Sequence, residues 1–201
     1  MRARATHVLS IVTRIGSVAS LVLLGACGSQ TRVVHERLDE ASGITVRAGG
    51  EPMVFARTES QYSRSGRDYL YFGPVETNRQ GVREYYLWVG VATTLDRGYL
   101  APPSEQPEKV FIDVAGEPME LVLKPWRERE PALHDPRVYG TPVRLGVELA
   151  ARTTLDQLRR LASEPLQSLR VVDRDGRERA YYRWHEGSDW PTFLTAVARG
   201  E

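Results

Sequence analysis

Seven side chains able to bind or react crowd into one irregular stretch, PWREREPALHDPRVYGTP, residues 125–142: Trp126, Arg127, Arg129, His134, Asp135, Arg137 and Tyr139. Four prolines keep this run from forming a helix or an inner strand. A loop of that length inside a compact domain is uncommon and is often functional. Guanidinium forks grip anionic groups, and Trp and Tyr offer flat apolar faces with a polar edge. The expected occupant is therefore an anionic ligand, a glycan or a protein partner. The plainer alternative is a surface loop stapled to its domain by Trp126 and Tyr139.

His134-Asp135 invites a reading as an acid–base or metal pair, but adjacent residues rarely aim at a common atom, and no HxH or HExxH frames them. His35-Glu36 starts like HExxH, yet residue 39 is Asp, so the zinc motif fails. His185-Glu186 follows Trp184 and reads as a solvated strand end. No GxSxG, SxxK, GxGxxG or GxxxxGK[ST] occurs. Glu117 and Glu120 would make a glycosidase pair only if the fold held them at the right separation. No catalytic residue, metal or cofactor is expected.

A second concentration is aromatic: YYRWHEGSDW, residues 181–190. Strand alternation sends Tyr182 and Trp184 to one face and Tyr181 to the other. Interleaved with Arg, such residues suit protein or glycan contacts; as packing, they would join a hairpin to a terminal helix.

The elements that must position these residues are mostly strands. Runs at 43–49, 52–58, 67–76, 82–92, 109–116, 118–124 and 142–150 are rich in Val, Ile, Tyr, Phe and Trp and are bounded by Gly, Pro or Asn. Residues 82–92 are apolar on both faces, which predicts a central strand covered on two sides. It is expected to pair with 67–76 through the loop Thr77-Asn78-Arg79-Gln80-Gly81. Thr153 and Thr154 ahead of Asp156 and Gln157 form a capping-box pattern. Leu155, Leu158, Leu161 and Ala162 then line one face of a helix ending before Pro165. Asp173-Arg174-Asp175-Gly176 fits a type I turn in a three-residue hairpin loop that sets Asp173 opposite Arg177; a two-residue turn would oppose Arg174 and Arg177. Trp190, Phe193, Leu194 and Val197 form the stripe of a closing helix. The pattern predicts a mainly β fold, an antiparallel β-sandwich with two short helices near the C-terminus.

The N-terminus is of another kind. Residues 1–26 carry Arg2, Arg4 and Arg14 and no acid, and from Ile15 to Ala26 every residue is apolar or small. That is a signal-peptide pattern, too short in its apolar core for a spanning helix of about 20 residues. The chain's single cysteine stands at its end. Leu24-Gly25-Ala26-Cys27 resembles the lipobox of bacterial lipoproteins. The resemblance implies a diacylglyceryl group on the Cys27 sulfur, cleavage before Cys27 and acylation of the new amino group, and covers the leader only. Gly28, in place of Asp, implies the outer membrane, facing the periplasm, if the cell is Gram-negative. The expected organisation is a cleaved leader at 1–26, a lipidated Cys and short linker at 27–32, and one domain at 33–201. Five extended linker residues reach at most roughly 17 Å, which holds that domain against the bilayer.

Without the leader, 24 basic residues face 26 acidic ones, a near-neutral balance that gives nucleic acid binding no support. With no cysteine beyond Cys27, disulfides, thiol catalysis and cysteine zinc sites are excluded. The reading that emerges is a membrane-anchored envelope lipoprotein acting as a non-catalytic binding or scaffolding module. Its partners would be the bilayer, through acylated Cys27, and an envelope protein or glycan. The rival readings are an envelope hydrolase built around His134, Asp135 and Arg137, and a binder of a small ligand or glycan in a cleft beside loop 125–142.

Overall fold

A computed structural model describes residues 34–58, 66–94, 106–187 and 190–199; the leader, Cys27 and the linker lie outside them. Among the described residues eleven strands and three helices follow in chain order: β1 (His35–Asp39), β2 (Ile44–Ala48), β3 (Met53–Thr58), β4 (Arg67–Arg79), β5 (Val82–Thr93), β6 (Pro107–Val114), β7 (Glu117–Val122), β8 (Lys124–Pro125), α1 (Trp126–Arg129), β9 (Val147–Thr153), α2 (Leu155–Ser163), β10 (Ser168–Asp173), β11 (Glu178–His185) and α3 (Trp190–Ala198). The fold is mainly antiparallel β, with two short helices near the C-terminus and a single helical turn, α1, in mid-chain.

The strands form one sheet in the order β7-β6-β10-β11-β3-β4-β5-β9-β8, with β1 and β2 attached to the far half of β4. It folds over on itself as a sandwich and is nearly closed, like a barrel. Strand alternation assigns the interior: Phe55, Leu70, Phe72, Leu87, Val89, Ile112, Leu149 and Val171 all point inward. Leu158 and Leu161 of α2 and Trp190, Phe193 and Val197 of α3 complete this core. Burying each such side chain contributes about 1.5–3 kcal/mol. The cap of α2 is the one its sequence predicts: the Gln157 N–H donates to Thr154 Oγ1 at 3.1 Å, and the Thr154 N–H donates to Gln157 Oε1 at 2.9 Å.

A second core lies on the outer face of the same strands. Tyr71 and Val75 of β4, Tyr86 and Trp88 of β5 and Ala150 of β9 are covered there by Ile44 and Val46 of β2 and by Trp126, Leu133 and Tyr139. This explains the two apolar faces of residues 82–92: β5 runs between β4 and β9 and is packed from both sides. Residues 126–146 thus form a strap across the back of the sheet. It presses closely on Gly73, where a Cβ would stand 2.6 Å from the Tyr139 ring carbon Cζ, so only glycine fits.

The structure departs from the sequence reading at several elements. Residues 125–142, expected to hold no helix, contain the single turn α1 between Pro125 and Pro131. The β4–β5 connection is not a five-residue loop: β4 continues to Arg79, and Gln80-Gly81, both with positive φ, turn the chain. The strand persists through polar residues because Glu76 and Thr77 are buried and paired, Glu76 with Arg47 and Arg83 and Thr77 with Glu130. The strand expected at 142–150 runs instead from Val147 to Thr153, since 142–146 belongs to the strap. The polar strand β1 pairs with β2 in full register although it lacks any apolar alternation. The β10–β11 turn matches its expectation: the Asp173 N–H donates to the Arg177 carbonyl at 3.1 Å, and Gly176 has φ +78°.

Candidate functional site

The seven strap residues do not converge on one point. Trp126 is 1 % exposed; its ring meets Tyr86 edge-on at 5.4 Å, and its indole N–H donates to the Pro136 carbonyl at 2.7 Å. Tyr139 is buried against Trp88 at 5.1 Å, donates its hydroxyl hydrogen to the Pro74 carbonyl at 2.7 Å and accepts from the Gly49 N–H at 3.2 Å. Both aromatics are staples. Arg129 donates to the carbonyls of Ala150 and Val122. Arg137 binds the Asp135 carboxylate through Nε and Nη2 at 3.0 and 2.9 Å, and this contact holds the Asp135 pKa down at about 2. His134 is exposed, and its backbone N–H donates to Asp39 Oδ2 at 2.6 Å. Arg127 is exposed. Glu117 and Glu120 take separate cations, Arg160 and Lys109. Among the described residues no group of three or more His, Cys, Asp or Glu is placed to hold a metal.

Under the strap, polar groups satisfy one another. Glu130, 4 % exposed, accepts from Thr77 Oγ1 at 2.8 Å and touches Tyr86 Oη at 2.9 Å, with Arg79 at 3.5 Å. The same Tyr86 hydroxyl lies 2.8 Å from Glu84, so its single hydrogen serves two carboxylates. Arg152 closes on Glu84. Thr77, Arg79, Glu84 and Glu130 border a cleft of about 500 Å³ together with Arg129 and Gln80. Burial followed by the two carboxylate contacts pushes the Tyr86 hydroxyl far above its usual range. The network fastens residues 126–133 to β4 and β5.

The cleft with unpaired chemistry lies at the other end of the strap. About 510 Å³ in volume, it is walled by Tyr69 and Tyr71 of β4, Val54 of β3, Pro52 and Glu51, Thr94, the strap residues Gly140, Pro142 and Val143, and Trp184 and His185 of β11. That size suits a small ligand. Arg67, Tyr69 and Tyr71 alternate onto the same outer face of β4. Trp184 arrives by another route. Arg183 pairs with Phe55 and His185 with Val54, so Trp184 is the extra residue of a β-bulge. In regular alternation Trp184 and His185 would point to opposite faces; with the bulge, both line the cleft.

Trp184 is 56 % exposed and its neighbour Tyr182 is 65 % exposed, whereas Tyr181 and Trp190 are buried in the interior. The aromatic run is thus divided between core and surface. Trp184 is nevertheless held: the Arg67 guanidinium stacks over its ring at 4.4 Å, and the Tyr69 ring meets it edge-on at 6.3 Å. Burial, then the nearby Tyr69, raises the Tyr71 pKa. The sequence reading noted Trp184 within an aromatic run, as a possible contact or as packing, and missed Arg67, Tyr69 and Tyr71, whose alternation in RDYLYF is the signal that finds them. No protein-family model matches this chain, and neither the curated proteins nor the solved structures yield a match.

Proposed function

We propose that the chain is a non-catalytic binding module of the cell envelope, tethered through acylated Cys27, with its ligand seated in the Trp184 cleft. The observation that carries this reading is the 56 % exposure of an indole already oriented by Arg67 and Tyr69. A large aromatic held rigid at the surface loses little conformational freedom when a ligand covers it, which is how Trp and Tyr come to dominate binding hot spots. The tether rests on the Leu24-Gly25-Ala26-Cys27 pattern, and the outer membrane on Gly28. Of the seven strap residues, Tyr139 supports the cleft indirectly: pinned to Pro74, Gly49 and Trp88, it holds the chain next to Gly140.

Two measurements test the two halves of the proposal. Cells fed labelled palmitate should label the parent chain, while Cys27→Ser should lose both the label and the membrane fraction; an unlabelled parent refutes the tether. For the cleft, a photo-crosslinker placed at Tyr182 should capture an envelope component in whole cells, and Trp184→Ala should abolish that adduct. An adduct that survives Trp184→Ala refutes the cleft as the binding site.

A further inference from the structure

The chemistry of the cleft narrows the class of its ligand. Arg67 uses its backbone to pair with Thr94, through N–H to Oγ1 at 2.9 Å and through its carbonyl to the Thr94 N–H at 2.9 Å. Arg67 does not itself wall the cleft; its guanidinium stacks on Trp184, which does, and forms no hydrogen bond or ion pair among the described residues. Stacking uses the flat face of the guanidinium and leaves the in-plane N–H fork free, the part that recognises a carboxylate. The phenol hydroxyls of Tyr69 and Tyr71 also have no hydrogen-bond partner among the described residues, and both side chains wall the cleft. Glu51 and His185, 3.7 Å apart, add a further acceptor and donor at the same place. Flat aromatic faces beside two unbonded hydroxyls suit a pyranose, whose C–H bonds meet the negative faces of the rings while its hydroxyls bond around the edge.

We propose that the ligand is an acidic saccharide, its sugar ring packed on the aromatic walls and its carboxylate held by the Arg67 fork. This rests on the Trp184 cleft being the binding site. A proline-rich peptide also favours aromatic grooves, but it presents no carboxylate along its length and leaves the Arg67 fork without a role.

The test is calorimetric titration of the full lipidated chain in detergent with tetragalacturonate and with its methyl ester, the same sugar with its charge removed. The acid should bind about tenfold more tightly than the ester, the low end for a charge-assisted hydrogen bond, because Arg67 is only half-buried. Arg67→Gln should bring the acid down to the ester's affinity and leave the ester unchanged, and Trp184→Ala should weaken both. Added salt should erode the preference for the acid. Equal binding of acid and ester by the parent chain overturns the acidic class and leaves the cleft standing. Binding of a polyproline peptide in a Trp184-dependent manner, with neither saccharide bound, overturns the saccharide and again leaves the cleft. Saccharide binding untouched by Trp184→Ala overturns the cleft itself.

Discussion

Removing one oxygen atom, in Tyr139→Phe, measures how firmly the strap is fastened. The ring stays, and with it the contact to Trp88 at 5.1 Å. Two hydrogen bonds go: the one Tyr139 donates to the Pro74 carbonyl at 2.7 Å and the one it accepts from the Gly49 N–H at 3.2 Å. The Gly49 N–H is not orphaned, because it also reaches the Pro74 carbonyl at 3.4 Å. The loss therefore falls short of two buried unsatisfied groups and should be about 1–2 kcal/mol. For a domain of this size that lowers Tm by about 2–8 °C. Tyr139→Ala removes the ring as well and should cost about 3–5 kcal/mol. Urea titration followed by tryptophan fluorescence reads both, and the m value of Tyr139→Phe should match that of the parent chain. A Tyr139→Phe loss below about 0.3 kcal/mol, the error of such comparisons, would show that the hydroxyl anchors nothing. Equal losses for Phe and Ala would show that the ring contributes nothing.

Two further outcomes follow from the same geometry. Gly73→Ala puts a methyl group into the Tyr139 ring and should destabilise by about 1–3 kcal/mol as overpacking does, whereas in a Tyr139→Ala background most of that cost should vanish; additive losses would refute the contact. Glu148 accepts from the Trp88 indole N–H at 3.1 Å, and burial raises its pKa. Between its unfolded value and this raised one, the native state binds more proton than the unfolded state, so Glu148's contribution to stability declines as pH rises through that window. Glu148→Gln keeps an acceptor for Trp88 without the charge and should flatten the decline in denaturation midpoints as pH rises above the ordinary Glu value of 4.5; an unchanged slope would mean that Glu148 does not contribute to it.

The strands were legible wherever alternation ran between breakers, and so were the capping box of α2 and the three-residue turn of the last hairpin, because each depends on neighbours within a few residues. The β4–β5 turn was misplaced for the opposite reason. Thr77 and Asn78 look like loop residues, and what carries the strand through them is distant: β2, which pairs with both, and Glu130, 53 positions away from Thr77. In the same way β1 owes its pairing to β2 and to Arg37, which donates to the carbonyls of Asp135 and Arg137 on the strap, nearly a hundred residues on. Trp126 and Tyr139 were visible as staples from their type, but their targets were not. Alternation placed Trp184 on one face with Tyr182 without saying which face was outward, and packing between the hairpin and the closing helix was the expected use of that run; the structure exposes both side chains. That His185 joins Trp184 was not legible, because a bulge is a property of two strands in register and leaves no mark on one of them.

The strap and the β1–β2 hairpin make an outer layer over a sheet whose other face has a core of its own. Two cores of unequal size imply two thresholds for opening. Backbone amides of residues 126–146 should exchange with solvent through excursions that leave the interior amides of β4 and β5 protected. Since Gly140, Pro142 and Val143 belong to this outer layer and also wall the Trp184 cleft, whatever fills the cleft also fastens the layer. Occupancy would then be written into the exchange rates of amides distant from the ligand, around Trp126 and Leu133, with the barrel itself unmoved.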